Sequence, residues 1–266
     1  MRVALGIEYD GSAFCGWQTQ PSGCGIQDHL EAALQRIADE AVETVCAGRT
    51  DAGVHALEQV VHFDTGAGRP PSAWIRGVNA ALPAGVAVIW SQQIDAEFHA
   101  RYSARSRHYR YVLLNHPVRP AAAHARVGWF HGALDVELMR EAAQAFVGVH
   151  DFSAFRSSEC QARSPVRHMH AIDIARRGAY IVFDFRANAF LHHMVRNLIG
   201  ALIYVGKARH PPLWVATVLA GRDRARAAPT FEAAGLYLAG VEYDPAWQLP
   251  VAPRAIAPLL QDAALP

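Results

Sequence analysis

The stretch best suited to chemistry is Gly48-Arg49-Thr50-Asp51-Ala52-Gly53. Two glycines bracket Arg-Thr-Asp, and glycine tolerates a tight backbone that leaves the intervening side chains exposed. Read as structure, Asp51 is an Asx-turn residue bonded to its own loop. Read as chemistry, a loop aspartate facing a cleft is a nucleophile or base, held ionised by a neighbouring arginine. A carboxylate needs no special activation to act as an anion at neutral pH, only desolvation and aim.

A second constellation is NAFLHHMVRN at 188–197. Asn188 is placed to cap a helix, with Met194/Val195, Leu198/Ile199, Leu202 and Val205 as its buried stripe. Arg196 falls at the margin of that stripe. It is either a snorkelling surface residue or a cation aimed into a cleft. The histidine pairs His168/His170 and His192/His193 raise the question of metal. Neither pair has a Cys or carboxylate partner at a recognised spacing, so no metal site is expected.

These residues need elements to hold them. Alternation predicts strands at 3–9, 42–46, 59–63 and 86–94 in the first part of the chain, with the polar loop 48–55 between two of them. Ile26, Leu30, Ala33/Leu34 and Ile37 predict an amphipathic helix over 26–39, and a short helix is expected at 72–82 before Pro83. A strand over 101–114 carries Arg107, Tyr109, Tyr111 and Leu113 on one face, and a Pro/Ala-rich connector follows at 117–127. A second set comprises helices at 135–147, 189–205 and 212–220 and strands at 166–175, 179–187 and 235–243. The order predicts an α+β fold of two similar mixed α/β halves (RRM- or ferredoxin-like), each a sheet with helices on one face. The sheets are expected to join around a central cleft, where sites tend to lie. The expected divisions are 1–100 with the catalytic loop, 101–248, and an extended tail at 249–266.

The chain has 266 residues, 52% hydrophobic and 18% charged, enough for a core without staples. Cys15, Cys24, Cys46 and Cys160 form no CxxC pair and are too sparse for a disulfide scaffold. No signal-like or membrane-spanning run occurs, so the expected setting is soluble, reducing and cytoplasmic.

Twenty-five basic against 24 acidic residues leave a net +1, which by itself argues against a nucleic-acid binder. Only Lys207 is a lysine, a bias that a GC-rich genome explains. Placement says more. Residues 98–134 hold no Asp or Glu but carry Arg101, Arg105, Arg107, Arg110, Arg119 and Arg126. Interleaved Tyr102, Tyr109 and Tyr111 add stacking surfaces, a combination suited to RNA. The structural alternative is a solvated strand with its aromatic side in the core.

Six ordered segments resemble the tRNA pseudouridine synthase A (TruA) family. They are ALGIEYDGSAFCGW at 4–17, CAGRTDAGVHALEQVVH at 46–62, FHARYSARSRHYRY at 98–111, DFSAF at 151–155, NAFLHHMVRNLIG at 188–200 and GLYL at 235–238. The resemblance covers about 3–243 and implies the pseudouridine synthase fold. It implies isomerisation of uridine to pseudouridine at positions 38, 39 and 40 of the tRNA anticodon stem-loop. It also implies a homodimer, with tRNA as partner and neither cofactor nor catalytic metal. By position, Asp51 matches the catalytic aspartate and Tyr109 the active-site tyrosine that packs on the target base. Arg196 matches the basic residue that pairs with the aspartate. Arg49 matches an arginine holding the flipped nucleotide, and Leu236 an apolar residue lining the uracil pocket. Arg105 and Arg107 are expected to contact phosphate.

Such a reaction breaks N1–C1′, turns the uracil and joins C5 to C1′ without consuming water. One carboxylate suffices, unlike glycoside hydrolysis, which uses two and a water. Two rivals share features of the sequence. A non-catalytic RNA-binding protein with paired RRM-like sheets accounts for the arginines and aromatics but not for GRTDAG or Arg196. A nucleoside hydrolase needs a second carboxylate, which 47–57 does not supply.

Overall fold

The computed structural model describes residues 1–250. In chain order the strands are β1 (Arg2–Tyr9), β2 (Val45–Cys46), β3 (His55–Asp64), β4 (Val86–Ile94), β5 (Ala104–Asn115), β6 (Gly128–Phe130), β7 (Gly148–Asp151), β8 (Val166–Arg177), β9 (Tyr180–Ala187) and β10 (Leu236–Tyr243). The α-helices are α1 (Ile26–Ala38), α2 (Val136–Ala143), α3 (Met194–Gly206) and α4 (Leu213–Gly221). The fold class is α+β, as the sequence predicts. The chain forms two units, one of Met1–Arg105 with the described residues from Leu238 on, the other Ser106–Tyr237.

In the first unit β1 pairs antiparallel with both β3 and β4, and β2 adds to β3. β1 is apolar along nearly its whole length because it is central: Val3 through Ile7 are buried on both faces. α1 buries Ile26, Leu30, Ala33, Leu34 and Ala38, the stripe that its spacing predicts. Asp28 in its first turn accepts the Gly25 N–H at 2.8 Å, half of a capping box. Trp90, Phe98, Val60 and Ala4 form a cluster against which Tyr243 and Trp247 pack.

Several boundaries depart from expectation for local reasons. The strand expected at 42–46 shrinks to Val45–Cys46. Thr44 is drawn to α1 instead, donating its N–H and hydroxyl to Glu31 at 2.7 and 2.9 Å. The expected helix at 72–82 contains a π-helical stretch, Ala73–Gly77. The strand expected from 101 begins at Ala104, because Ser103 N–H closes a turn onto the His99 carbonyl at 2.8 Å.

Against the expected reducing setting, Cys15 and Cys24 form a disulfide with Cα atoms 5.4 Å apart. The Cys15 N–H donates to the Cys24 carbonyl at 3.0 Å, which brings the two together. It is one local bridge, not a scaffold.

In the second unit β9 pairs antiparallel with β5 and β8, β8 with β7, and β6 lies parallel to β5. α3 is buried almost all round and packs on α2, with Gly206 close against Met139. The helix expected from 189 begins only at Met194. Asn188 does not cap it: its Oδ1 accepts the N–H groups of His168 and Ala189 at 3.0 and 2.9 Å, and His193 turns with φ of 61°. The tail expected as an extended arm lies, from 251 on, outside the described residues.

Candidate active site

Asp51 stands in the loop that connects β2 to β3, half-buried, between exposed Arg49 and exposed Ala52. The loop is gripped at several points. Gln59, wholly buried on β3, accepts the Gly48 N–H at 3.3 Å and donates to the Gly48 carbonyl at 2.5 Å. The Thr50 carbonyl accepts the Trp17 N–H at 2.9 Å, and the Asp51 carbonyl accepts that of Val54 at 3.1 Å. At Gly16, φ is +95°, and a Cβ would lie 2.8–3.1 Å from backbone atoms of Thr50, Asp51 and Ala52, so only glycine lets these chains touch. At Gly11 a Cβ would fall 1.9 Å from the Val54 carbonyl oxygen. Cys46 is buried at the loop's start, and that burial pushes its thiol up to about 12, which removes it as a nucleophile.

Arg105 closes the same unit. Its side chain is 59% exposed and pairs with Asp244.

The second unit holds Arg107, Tyr109, Arg196 and Leu236. Arg107 and Tyr109 alternate on β5 and both meet the 188–193 connection. Arg107 Nη1 donates to the Asn188 carbonyl at 2.8 Å, and the Tyr109 ring meets Phe190 edge-on at 4.9 Å. Arg107 is buried, not displayed. Arg196, in the first turn of α3, donates from Nε to the Phe231 carbonyl at 2.8 Å, and its backbone carbonyl accepts the Phe231 N–H at 3.2 Å. Leu236 is buried beside β5, where Val112 N–H donates to the Gly235 carbonyl at 2.9 Å.

The sequence of the chain matches the model of a family described as tRNA pseudouridine synthase, over residues 6–103 and 142–244. This chain belongs to the tRNA pseudouridine synthase family. Curated relatives agree. A tRNA pseudouridine synthase A of Thiobacillus denitrificans is 60% identical over 94% of this chain and 96% of its own. One of Aromatoleum aromaticum is 60% identical over 96% and 97%, and one of Methylobacillus flagellatus 54% over 96% and 98%.

As a tRNA pseudouridine synthase the chain is an isomerase. Both matched segments contain residues singled out above: Arg49 and Asp51 in the first, Arg196 and Leu236 in the second. Arg105, Arg107 and Tyr109 fall between them. Among the described residues no helix is long and apolar enough to cross a membrane. Within the second unit, the rings of His168 and His170 lie 4.6 Å apart and those of His192 and His193 4.1 Å apart.

Sequence reasoning missed several supports. Asp184 on β9 receives His108 Nε2 at 2.6 Å and Arg110 Nε at 2.8 Å. Burial alone would raise its carboxyl, but these bonds and charges hold it below the ordinary carboxylate value. The β5–β9 register, with Arg110 opposite Asp184, was the only signal, and it exists only once the strands pair. Asn197, fully buried inside α3, donates to the Phe155 carbonyl at 2.8 Å and accepts from Thr230 at 2.7 Å. A lone Asn in an apolar stripe was visible in sequence, its partners were not.

Proposed function

We propose that this synthase isomerises uridine to pseudouridine at positions 38, 39 and 40 of the tRNA anticodon stem-loop, with Asp51 as its catalytic residue. The observation that carries the reading is the contrast at Asp51: the backbone on both sides is clamped, while the side chain is half-buried beside an exposed arginine. A fixed carboxylate with a neighbouring cation suits attack at a desolvated sugar.

The Asp51 carboxylate acts at the ribose, by attack on C1′ or by removal of a sugar proton. Either route releases N1, lets the uracil turn and leads to a C5–C1′ bond, with the C5 proton lost to solvent. Tyr109 packs on the base and Leu236 lines its apolar side. Arg196 pairs with the aspartate, and Arg49 holds the flipped nucleotide. Extrusion of the base costs a few kcal/mol, which phosphate contacts offset. Arg105 offers its exposed guanidinium to phosphate in exchange for Asp244. Arg107 serves from the buried side, through the Asn188 carbonyl it holds.

The enzyme works as a cytoplasmic homodimer. Disulfides are rare in that reducing setting, so there Cys15 and Cys24 stand as a dithiol at bridging distance.

The test is incubation with tRNA carrying C5-tritiated uridine. Tritium release without free uracil supports the synthase. Free uracil indicates hydrolysis, and neither product indicates an RNA binder. Substrates lacking uridine at 38–40 should release no tritium.

A further inference from the structure

Thr50, next to Asp51 in the chain, is 7% exposed, and its hydroxyl lies 2.8 Å from the hydroxyl of Tyr9. Tyr9 ends β1 and is 2% exposed. Its backbone lies opposite Ala56 of β3 and Val86 of β4, and its ring sits 6.1 Å from that of Trp17. The tyrosine is therefore held by the sheet on two sides before its hydroxyl reaches the loop.

Thr50 is fixed through two groups. Its carbonyl accepts the Trp17 N–H, and its hydroxyl shares a hydrogen bond with the Tyr9 hydroxyl. The first bond fixes the peptide plane that leads into Asp51. The second stops the threonine from turning about that plane, because a β-branched side chain has few χ1 states. Together they set the direction in which the Cα of Asp51 presents its carboxylate. A hydroxyl bond across 41 residues thus ties the rigid sheet to the residue before the carboxylate.

We propose that Tyr9 is a positioning residue for Asp51, acting through Thr50. The inference rests on the reading of Asp51 as the catalytic carboxylate. Tyr9 does not touch substrate. Loss of its hydroxyl alone should leave tRNA binding intact and spoil the aim of the carboxylate, where misplacement by about 1 Å costs roughly a hundredfold.

The experiment measures kcat and KM for pseudouridine formation on tRNA by the full chain. The variants are Tyr9→Phe, Thr50→Val, Thr50→Ser and the double variant Tyr9→Phe/Thr50→Val. Tyr9→Phe and Thr50→Val should each lower kcat by about ten- to a hundredfold with KM within about twofold. The double variant should be no worse than the poorer single one, since both remove the same bond. Thr50→Ser keeps a hydroxyl and should recover most of the rate.

A wild-type kcat in Tyr9→Phe, a rise in KM alone, or single losses that multiply in the double variant would each overturn the proposal. Should Tyr9→Phe fail to fold, Thr50→Val against Thr50→Ser decides it: equal rates overturn it. A wild-type chain that forms no pseudouridine overturns the functional reading instead. Amide exchange over 48–54 then decides the positioning: faster in Tyr9→Phe supports it, unchanged overturns it.

Discussion

The side-chain amide of Gln59 holds both backbone groups of Gly48, accepting its N–H at 3.3 Å and donating to its carbonyl at 2.5 Å. A buried amide bonded at both ends to one glycine fixes where the Asp51 loop leaves the sheet. Gln59→Leu keeps the volume and removes both bonds, so buried polar groups lose their partner at about 1–3 kcal/mol each. The melting temperature should fall by roughly 5–10 °C, with turnover reduced in the protein that remains folded. Calorimetry with a parallel activity assay at 25 °C checks both; an unchanged melting temperature refutes the role.

Asp51→Asn is nearly isosteric and abolishes the anion. Turnover should drop by at least about a thousandfold, while tRNA affinity stays within a few-fold, because the carboxylate adds nothing favourable to a polyanion. Multiple turnover by Asp51→Ala, followed by tritium release, would remove Asp51 from the mechanism.

Arg105 is exposed and, among the described residues, bridges to Asp244 at the surface, so its exchange onto phosphate costs little. Arg105→Gln should weaken tRNA binding and reduce the slope of log affinity against log salt by about one. A salt titration by filter binding or fluorescence measures that slope directly. An identical slope for the variant excludes a phosphate contact.

His62 accepts the Ala100 N–H at 3.1 Å from a buried position. Burial, with Arg2 and His99 nearby, lowers its pKa from 6.5 to about 4. The unfolded chain therefore binds this proton at higher pH than the folded one. The stability from neutral His62 is complete above about pH 6.5 and is lost progressively as pH falls toward 4. His62→Asn retains an acceptor near Nδ1 and does not titrate. Between pH 7.5 and 4.5 the wild type should lose about 1–3 kcal/mol more than this variant. Denaturant melts at the two pH values test this; parallel losses would count against it.

Much of this enzyme is local and was legible as sequence. The α1 stripe, the strand at 86–94 and the loop around Asp51 follow from periodicity and glycine placement, which act within a few residues. The acid-free arginine stretch was equally plain, but sequence could not sort its members. Arg105 is displayed and Arg107 is buried, two positions apart on β5, because the pairing with β9 takes in Arg107, opposite Ala187, and stops short of Arg105.

What only the tertiary structure decided lies in contacts between distant segments. Asn188 has the chemistry of a helix cap, yet its side chain serves the backbone of β8, so α3 starts five residues later than propensity suggests. Cys15 and Cys24 meet through a turn with no CxxC spacing to announce it. Tyr9 with Thr50, and Gln59 with Gly48, are ordinary residues until the sheet forms. Sequence singled out Asp51; the loop that carries it is held by hydrogen bonds that exist only after β1 and β3 have come together.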